Sequence, residues 1–215
     1  MKFIFFPFCC FTSVLFLLSC SHTIKDSDGN SYEKLKIGNQ IWMAENLRVL
    51  HFRNGDDIPF ARTDEEWVNF GMQGKPAWCY PDGNDKNADK QGLLYNWYAV
   101  TDPRGLAPKG WHVTTDDEWT AMINLLGGSV KSAMILRIDN RLDKENKVGS
   151  FNGLPSGCRN RSGVFYGSGS FGYWWSSTSN DEISAWLRVL NYPKCDINFM
   201  TYEKIYGASV RCIKN

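Results

Sequence analysis

From Gly157 to the C-terminus the sequence breaks into five short candidate β segments: Cys158–Tyr166, Tyr173–Thr178, Ala185–Leu190, Ile197–Tyr202 and Ala208–Ile213. Clusters of Gly, Ser, Asn, Asp and Pro separate them. Runs of this length leave no room for a three-turn helix, and the spacing predicts an antiparallel β meander. The text upstream is different. Leu35 and Ile37 alternate with lysines, Gly38-Asn39 supplies a two-residue turn, and Gln40–Met43 returns, which reads as a hairpin. Thr115 and Glu118 form a capping-box pattern, with Asp116 and Asp117 in the first turn. Trp119, Met122, Ile123 and Leu126 follow at helical spacing, and Gly127-Gly128 ends the helix. A second helix is expected over Thr63 to Phe70, with Trp67 and Phe70 inward. Residues 93–100 fit a strand or a helix, and residues 51–62 and 74–92 read as loops. Hairpin, one or two helices, then meander is the order of a single α+β domain, expected over residues 31–215.

The first 20 residues carry one charge, Lys2, and an apolar stretch from Phe3 to Leu18. That stretch is shorter than the roughly 20 residues of a membrane helix. It has the layout of a secretory signal. Leu17-Leu18-Ser19-Cys20 resembles the bacterial lipobox, which implies cleavage after residue 19 and acyl chains on Cys20. Several acyl chains on one residue anchor stably to a membrane. Residues 20–30, polar and small after the cysteine, read as a lipidated tether. The expected location is the cell envelope, as an outer-membrane lipoprotein with its domain displayed. The whole chain has 24 Lys+Arg against 23 Asp+Glu, and removal of Lys2 balances them. With no basic run either, nucleic acid is not expected as a partner. Four cysteines remain beyond the leader: Cys79, Cys158, Cys195 and Cys212. An even number in an oxidising compartment favours two disulfides, with three connectivities open. Cys79–Cys212 with Cys158–Cys195 is the preferred pairing.

Five motifs occur in order: Ile37-Gly38-Asn39-Gln40-Ile41-Trp42-Met43-Ala44-Glu45-Asn46-Leu47; Gly92-Leu93-Leu94-Tyr95-Asn96-Trp97-Tyr98-Ala99-Val100; Gly110-Trp111-His112-Val113 with Asp117-Glu118-Trp119; Gly172-Tyr173-Trp174-Trp175-Ser176-Ser177-Thr178; and Ser209-Val210-Arg211-Cys212-Ile213-Lys214. Together they resemble the Fibrobacter succinogenes major paralogous domain over about residues 28–215. The resemblance implies a secreted or surface-displayed bacterial domain. Its tryptophan-rich strand and terminal Val-Arg-Cys strand also look like the C-type-lectin-like fold, which includes the formylglycine-generating enzymes. Two positions depart from the family pattern: Thr114 stands where proline is usual, and Cys158 where an aromatic is usual.

The resemblance does not bring catalysis with it. Formylglycine-generating enzymes use a close pair of reactive cysteines. Here Cys195 and Cys212 are 17 positions apart, outside any such short motif. His112, between Trp111 and Val113, reads as a structural histidine. Gly167-Ser168-Gly169-Ser170-Phe171-Gly172 has nucleotide-loop spacing, but a strand follows it and not a helix, so it reads as a turn. No cofactor is expected. Asp82, Asp85, Asn87 and Asp89 copy part of a calcium loop, without its glycine and its final glutamate. A solvated loop is the preferred reading there, so no metal ligand is assigned. Nine tryptophans are many for a domain of this size. Tryptophan fills large cores, and it also stacks on sugar rings. Trp78 and Trp186 lie outside the motifs and are candidate ligand contacts. Trp174 and Trp175 alternate along one strand, so one of them is expected to be partly exposed. The expected function is non-catalytic binding of an extracellular ligand, a carbohydrate foremost. An envelope or adhesin interaction module is the alternative, and an enzyme the third reading.

Overall fold

The computed structural model describes residues 23–137 and 151–215. The leader and the Cys20 lipidation site lie outside the described residues. Within them, twelve strands outnumber five short helices, so the mixed helix-and-sheet fold is mostly β.

One sheet has the order β1-β2-β3-β12-β6. It contains β1 (Thr23–Lys25), β2 (Ser31–Ile37), β3 (Gln40–Met43), β12 (Cys212–Lys214) and β6 (Trp111–Val113). The expected hairpin is β2–β3, in register from Lys34↔Met43 to Ile37↔Gln40. Its turn places Gly38 at φ 58°, a left-handed angle that costs glycine little. The segment read as a tether is partly structured. β1 pairs with β2 from Thr23↔Glu33 to Lys25↔Ser31. Asp26 closes the intervening turn, accepting hydrogen bonds from the backbone N–H groups of Asp28 and Asn30. Small polar composition there marks a turn between strands.

The second sheet has the order β11-β10-β9-β7-β8. It contains β7 (Ser156–Arg159), β8 (Phe165–Ser168), β9 (Phe171–Ser179), β10 (Ser184–Asn191) and β11 (Asp196–Glu203). The expected meander needs three corrections. The run Cys158–Tyr166 is two strands around a turn. β7 pairs with β9 in parallel, at Gly157↔Gly172. The terminal strand β12 leaves this sheet and pairs in the first one, between β3 and β6. Strands β4 (Trp78–Cys79) and β5 (Leu94–Tyr95) form a separate pair.

Both expected helices form. Helix α1 spans Asp64–Met72 and helix α4 spans Asp116–Leu125, each with a complete capping box, from Thr63 with Glu66 and from Thr115 with Glu118. Helix α2 covers Ala88–Gln91 and α5 covers Ser129–Leu136. The ambiguous 93–100 run divides into β5 and a single helical turn, α3 (Trp97–Val100).

The core has two main parts. One lies between the sheets, joining Tyr32, Met43, Val113 and Cys212 to Tyr173, Trp175, Leu187 and Val189. The other lies under α4 and α5, where Trp42, Trp119, Phe151 and Trp174 pack mainly edge to face. β9 runs between them, so both of its faces are covered. Trp174 and Trp175 are therefore both buried, and the expectation that one would be exposed fails. Their indole N–H groups are committed as well. Trp174 donates to Asn46 Oδ1 at 2.8 Å and Trp175 to the Tyr95 carbonyl at 2.9 Å.

The four cysteines are free thiols, so the expected disulfides are not formed. Their partners are in different surroundings. Cys79 lies in a small cluster with Trp67 and Leu94, whereas Cys212 lies between the sheets. Cys158 lies in the core between the sheets, paired with Tyr166 across β7–β8, and Cys195 packs against the core under the helices.

Candidate functional site

A cavity of about 420 Å³ opens where two loop-borne segments meet the edge of the second sheet. One wall is Phe60, Ala61 and Arg62. A second is Tyr80 and Gly83 to Asp85. The third is Phe165 on β8, and Cys79 and Arg159 form the floor.

The walls are fixed by backbone pairing and ring packing. Phe60 is bridged to Trp78, and the Ala61 N–H donates to the Trp78 carbonyl at 3.0 Å. The Phe60 and Trp78 rings stack at 4.3 Å, and Tyr80 stands edge-on to both. Trp78 anchors this trio. It is buried, and its N–H donates to the Ile58 carbonyl at 2.9 Å. As a direct ligand contact Trp78 is thus corrected: burial removes it from the surface, and it supports Phe60 from behind.

The floor is held by a buried arginine. Arg159 donates to the Gly163 carbonyl at 2.7 Å, the Ala61 carbonyl at 3.0 Å and Asp64 Oδ1 at 2.8 Å. Its guanidinium lies 5.0 Å from the centre of the Trp67 ring and 4.8 Å from that of Phe165. All these contacts are internal, so Arg159 shapes the cavity. Burial pushes the Cys79 thiol up to about 12, against the opposing pull of Arg159. It stays protonated at neutral pH and is a poor nucleophile.

The rim is chemically different. Among the described residues, no side-chain hydrogen bond occupies the Arg62 guanidinium, the Tyr80 hydroxyl, the Asn84 amide nitrogen or the Asp85 carboxylate. Arg62 lies over the outer side of Phe60, 5.0 Å from its centre. A cavity with aromatic walls therefore carries two donors, one acceptor and one hydroxyl that does either. Such an arrangement orients a polar ligand with an apolar face.

The remaining sequence candidates are elsewhere. Trp186 is half-buried on β10, paired with Thr201, and does not line the cavity. Of the calcium pattern, Asp85 alone reaches the cavity rim. Asn84 Oδ1 is taken by the Lys86 N–H, and Asn87 donates to the Pro81 carbonyl. Among the described residues no three His, Cys, Asp or Glu side chains gather as a metal site requires. The loop's short spacing places its acids side by side in sequence without turning them toward one point. Residues 51–62 and 74–92, read as loops, supply most of the cavity. Their aromatics, Phe60, Trp78 and Tyr80, were the available signal, since loops seldom carry three large rings.

A family model described as Fibrobacter succinogenes major domain matches residues 35–214. No curated protein and no solved structure matches the chain.

Proposed function

The chain belongs to the Fibrobacter succinogenes major domain family, and from that premise we propose that it is a non-catalytic envelope lipoprotein that binds carbohydrate. In this reading Cys20 carries the lipid, the domain is displayed at the outer membrane, and the fold is a variant of the C-type-lectin-like one. The single observation behind the ligand class is the cavity walled by Phe60, Tyr80 and Phe165, at whose rim the Arg62 guanidinium, the Asn84 amide nitrogen and the Asp85 carboxylate make no side-chain hydrogen bond among the described residues. Trp78 and Arg62 cover the two faces of Phe60, so Tyr80 and Phe165 are the rings left to meet the apolar face of a pyranose, whose hydroxyls both donate and accept. Opposite charges on Arg62 and Asp85 suit a neutral sugar. The non-catalytic reading is supported by the state of the reactive groups. Burial raises Cys79, Cys158 and Cys212, and both ring nitrogens of His51 and of His112 are engaged.

The test is binding of residues 21–215 to an array of plant and bacterial polysaccharides, with calcium and with chelator. Starting at Ser21 keeps β1 intact. Binding is expected in both conditions, and Tyr80→Ala with Phe165→Ala should weaken it about tenfold or more, the scale of losing an aromatic contact. Absence of binding at millimolar polysaccharide, or binding indifferent to those changes, refutes the proposal.

A further inference from the structure

Strand β11 is the edge of the second sheet and runs for eight residues. The other edges are shorter: β1 and β6 have three residues each and β8 has four. Between Asp196 and Glu203 the strand reads Ile197-Asn198-Phe199-Met200-Thr201-Tyr202, without a charge. Phe199 and Met200 are both 43% exposed, on opposite faces. Exposed edges of this length are normally protected by charge, proline or a bulge, and the β10–β11 register is unbroken over all eight pairs.

The direction of each backbone group follows from the register. The Lys204 N–H donates to the Ile183 carbonyl, so even-numbered residues of β11 bond inward to β10. Odd-numbered residues face outward. At Ile197 this outer edge is already closed, because Ser129 Oγ exchanges hydrogen bonds with both Ile197 N–H and carbonyl. At the far end the Glu203 carbonyl accepts from the Tyr206 N–H. The outward N–H and C=O groups of Phe199 and Thr201 have no partner among the described residues.

We propose that this edge is a self-association surface, taken by β11 of a second copy of the chain in antiparallel pairing about a two-fold axis at Met200. That register places Phe199 opposite Thr201 of the partner, and uses all four open groups on each chain at once. Registers centred on Phe199 or Thr201 use fewer, since the Ser129 and Tyr206 contacts block their outer pairs. It also juxtaposes an aromatic with a β-branched residue, a favourable cross-strand pair. Charge supports the same direction. The Ile197 end has exposed Lys131 and Lys194 nearby, and the Glu203 end has exposed Asp181 and Glu182. Antiparallel pairing sets these opposite one another, and parallel pairing would set like against like. The symmetric contact closes after two copies.

Cysteine crosslinking of the full chain in membranes tests it. On the two-fold axis, Met200 and its symmetry mate form a non-hydrogen-bonded pair, about 4.5 Å apart at Cα, within disulfide reach. Met200→Cys should give a covalent homodimer under mild oxidation, well above the parent chain. Thr201→Cys should not, because its own mate is displaced along the strand. Adding Thr201→Pro to Met200→Cys should abolish the dimer, since it removes an outward N–H and leaves the β10 ladder whole. Far-ultraviolet circular dichroism of the purified proline variant checks its folding. Met200→Cys that crosslinks no more than the parent, Thr201→Cys that crosslinks equally well, or a Met200→Cys adduct with a different protein overturns the proposal.

Discussion

Replacing Asn46 by alanine should be among the most damaging single changes in this protein. Asn46 is buried, and four groups depend on its amide. Its Oδ1 accepts from Trp174 Nε1 at 2.8 Å and Arg211 Nε at 2.6 Å. Its Nδ2 donates to the Gln91 carbonyl at 2.8 Å and to Ser209 Oγ at 3.2 Å. Arg211 is fully enclosed, and burial pulls its guanidinium down to about 9, so it remains charged at neutral pH. Its other acceptors are the Met43 and Asn152 carbonyls, at 3.0 and 2.9 Å. Asn46→Ala thus strips one acceptor from a buried charge and the sole acceptor from the Trp174 N–H. A hydrogen bond to a charged group is worth about 1.5–3 kcal/mol, and an orphaned neutral donor costs about 1–3 kcal/mol. With incomplete additivity the loss should be about 3–5 kcal/mol. At about 2–4 °C per kcal/mol for a domain of this size, Tm should fall on the order of 10 °C. Urea unfolding of residues 21–215, followed by tryptophan fluorescence, measures it. Trp174→Phe, which removes only the indole N–H and some volume, should cost less. The double variant should cost less than the sum of the two, because both remove the same bond. An Asn46→Ala loss below about 1 kcal/mol, or strict additivity with Trp174→Phe, would refute this account of the network.

Two further outcomes are expected. His51 stands between Asp28 and Asp57, at 2.5 and 2.9 Å, and the hydrogen bond to Asp28 raises its imidazole above the ordinary range. A raised histidine stabilises fully below its unfolded value of about 6.5 and loses that contribution as pH rises through its folded value. The Tm of the parent should therefore approach that of His51→Gln between neutral and alkaline pH, and a constant difference across that range would count against the clamp. Gly71 of α1 sits against Ile205, and an added Cβ would lie 2.0 Å from the Ile205 Cγ1. Gly71→Ala should therefore destabilise, by about 1–3 kcal/mol, despite alanine's better helix propensity; a stabilised variant in urea unfolding would show that Ile205 moves aside freely.

The local elements were legible because their signals are local. A capping box needs residues three apart, as at Thr115 with Glu118, and a two-residue turn needs only Gly38-Asn39. The division of residues 93–100 was not legible. Leu94 and Tyr95 are extended because β4 lies beside them, and Asn96 then caps the turn by accepting the Ala99 N–H. The cavity was legible only in fragments. Trp78 and the 82–89 segment are separate signals in the sequence, and the fold brings Asp85 to a cavity that Trp78 supports from behind. Arg62 and Phe165 carried no local signature, since their roles depend on segments far apart in the chain.

Composition and order by themselves determined the mixed fold, the hairpin, both capped helices and the β-rich C-terminal part, together with the family motifs. Only the tertiary structure decided where β12 pairs, which faces of β9 are covered, and whether the cysteines meet. Each of those is a long-range contact. A strand's alternation states which residues share a face, and what lies against that face depends on every other element. Trp174 and Trp175 make the point: alternation correctly sent them to opposite sides, and packing buried both sides.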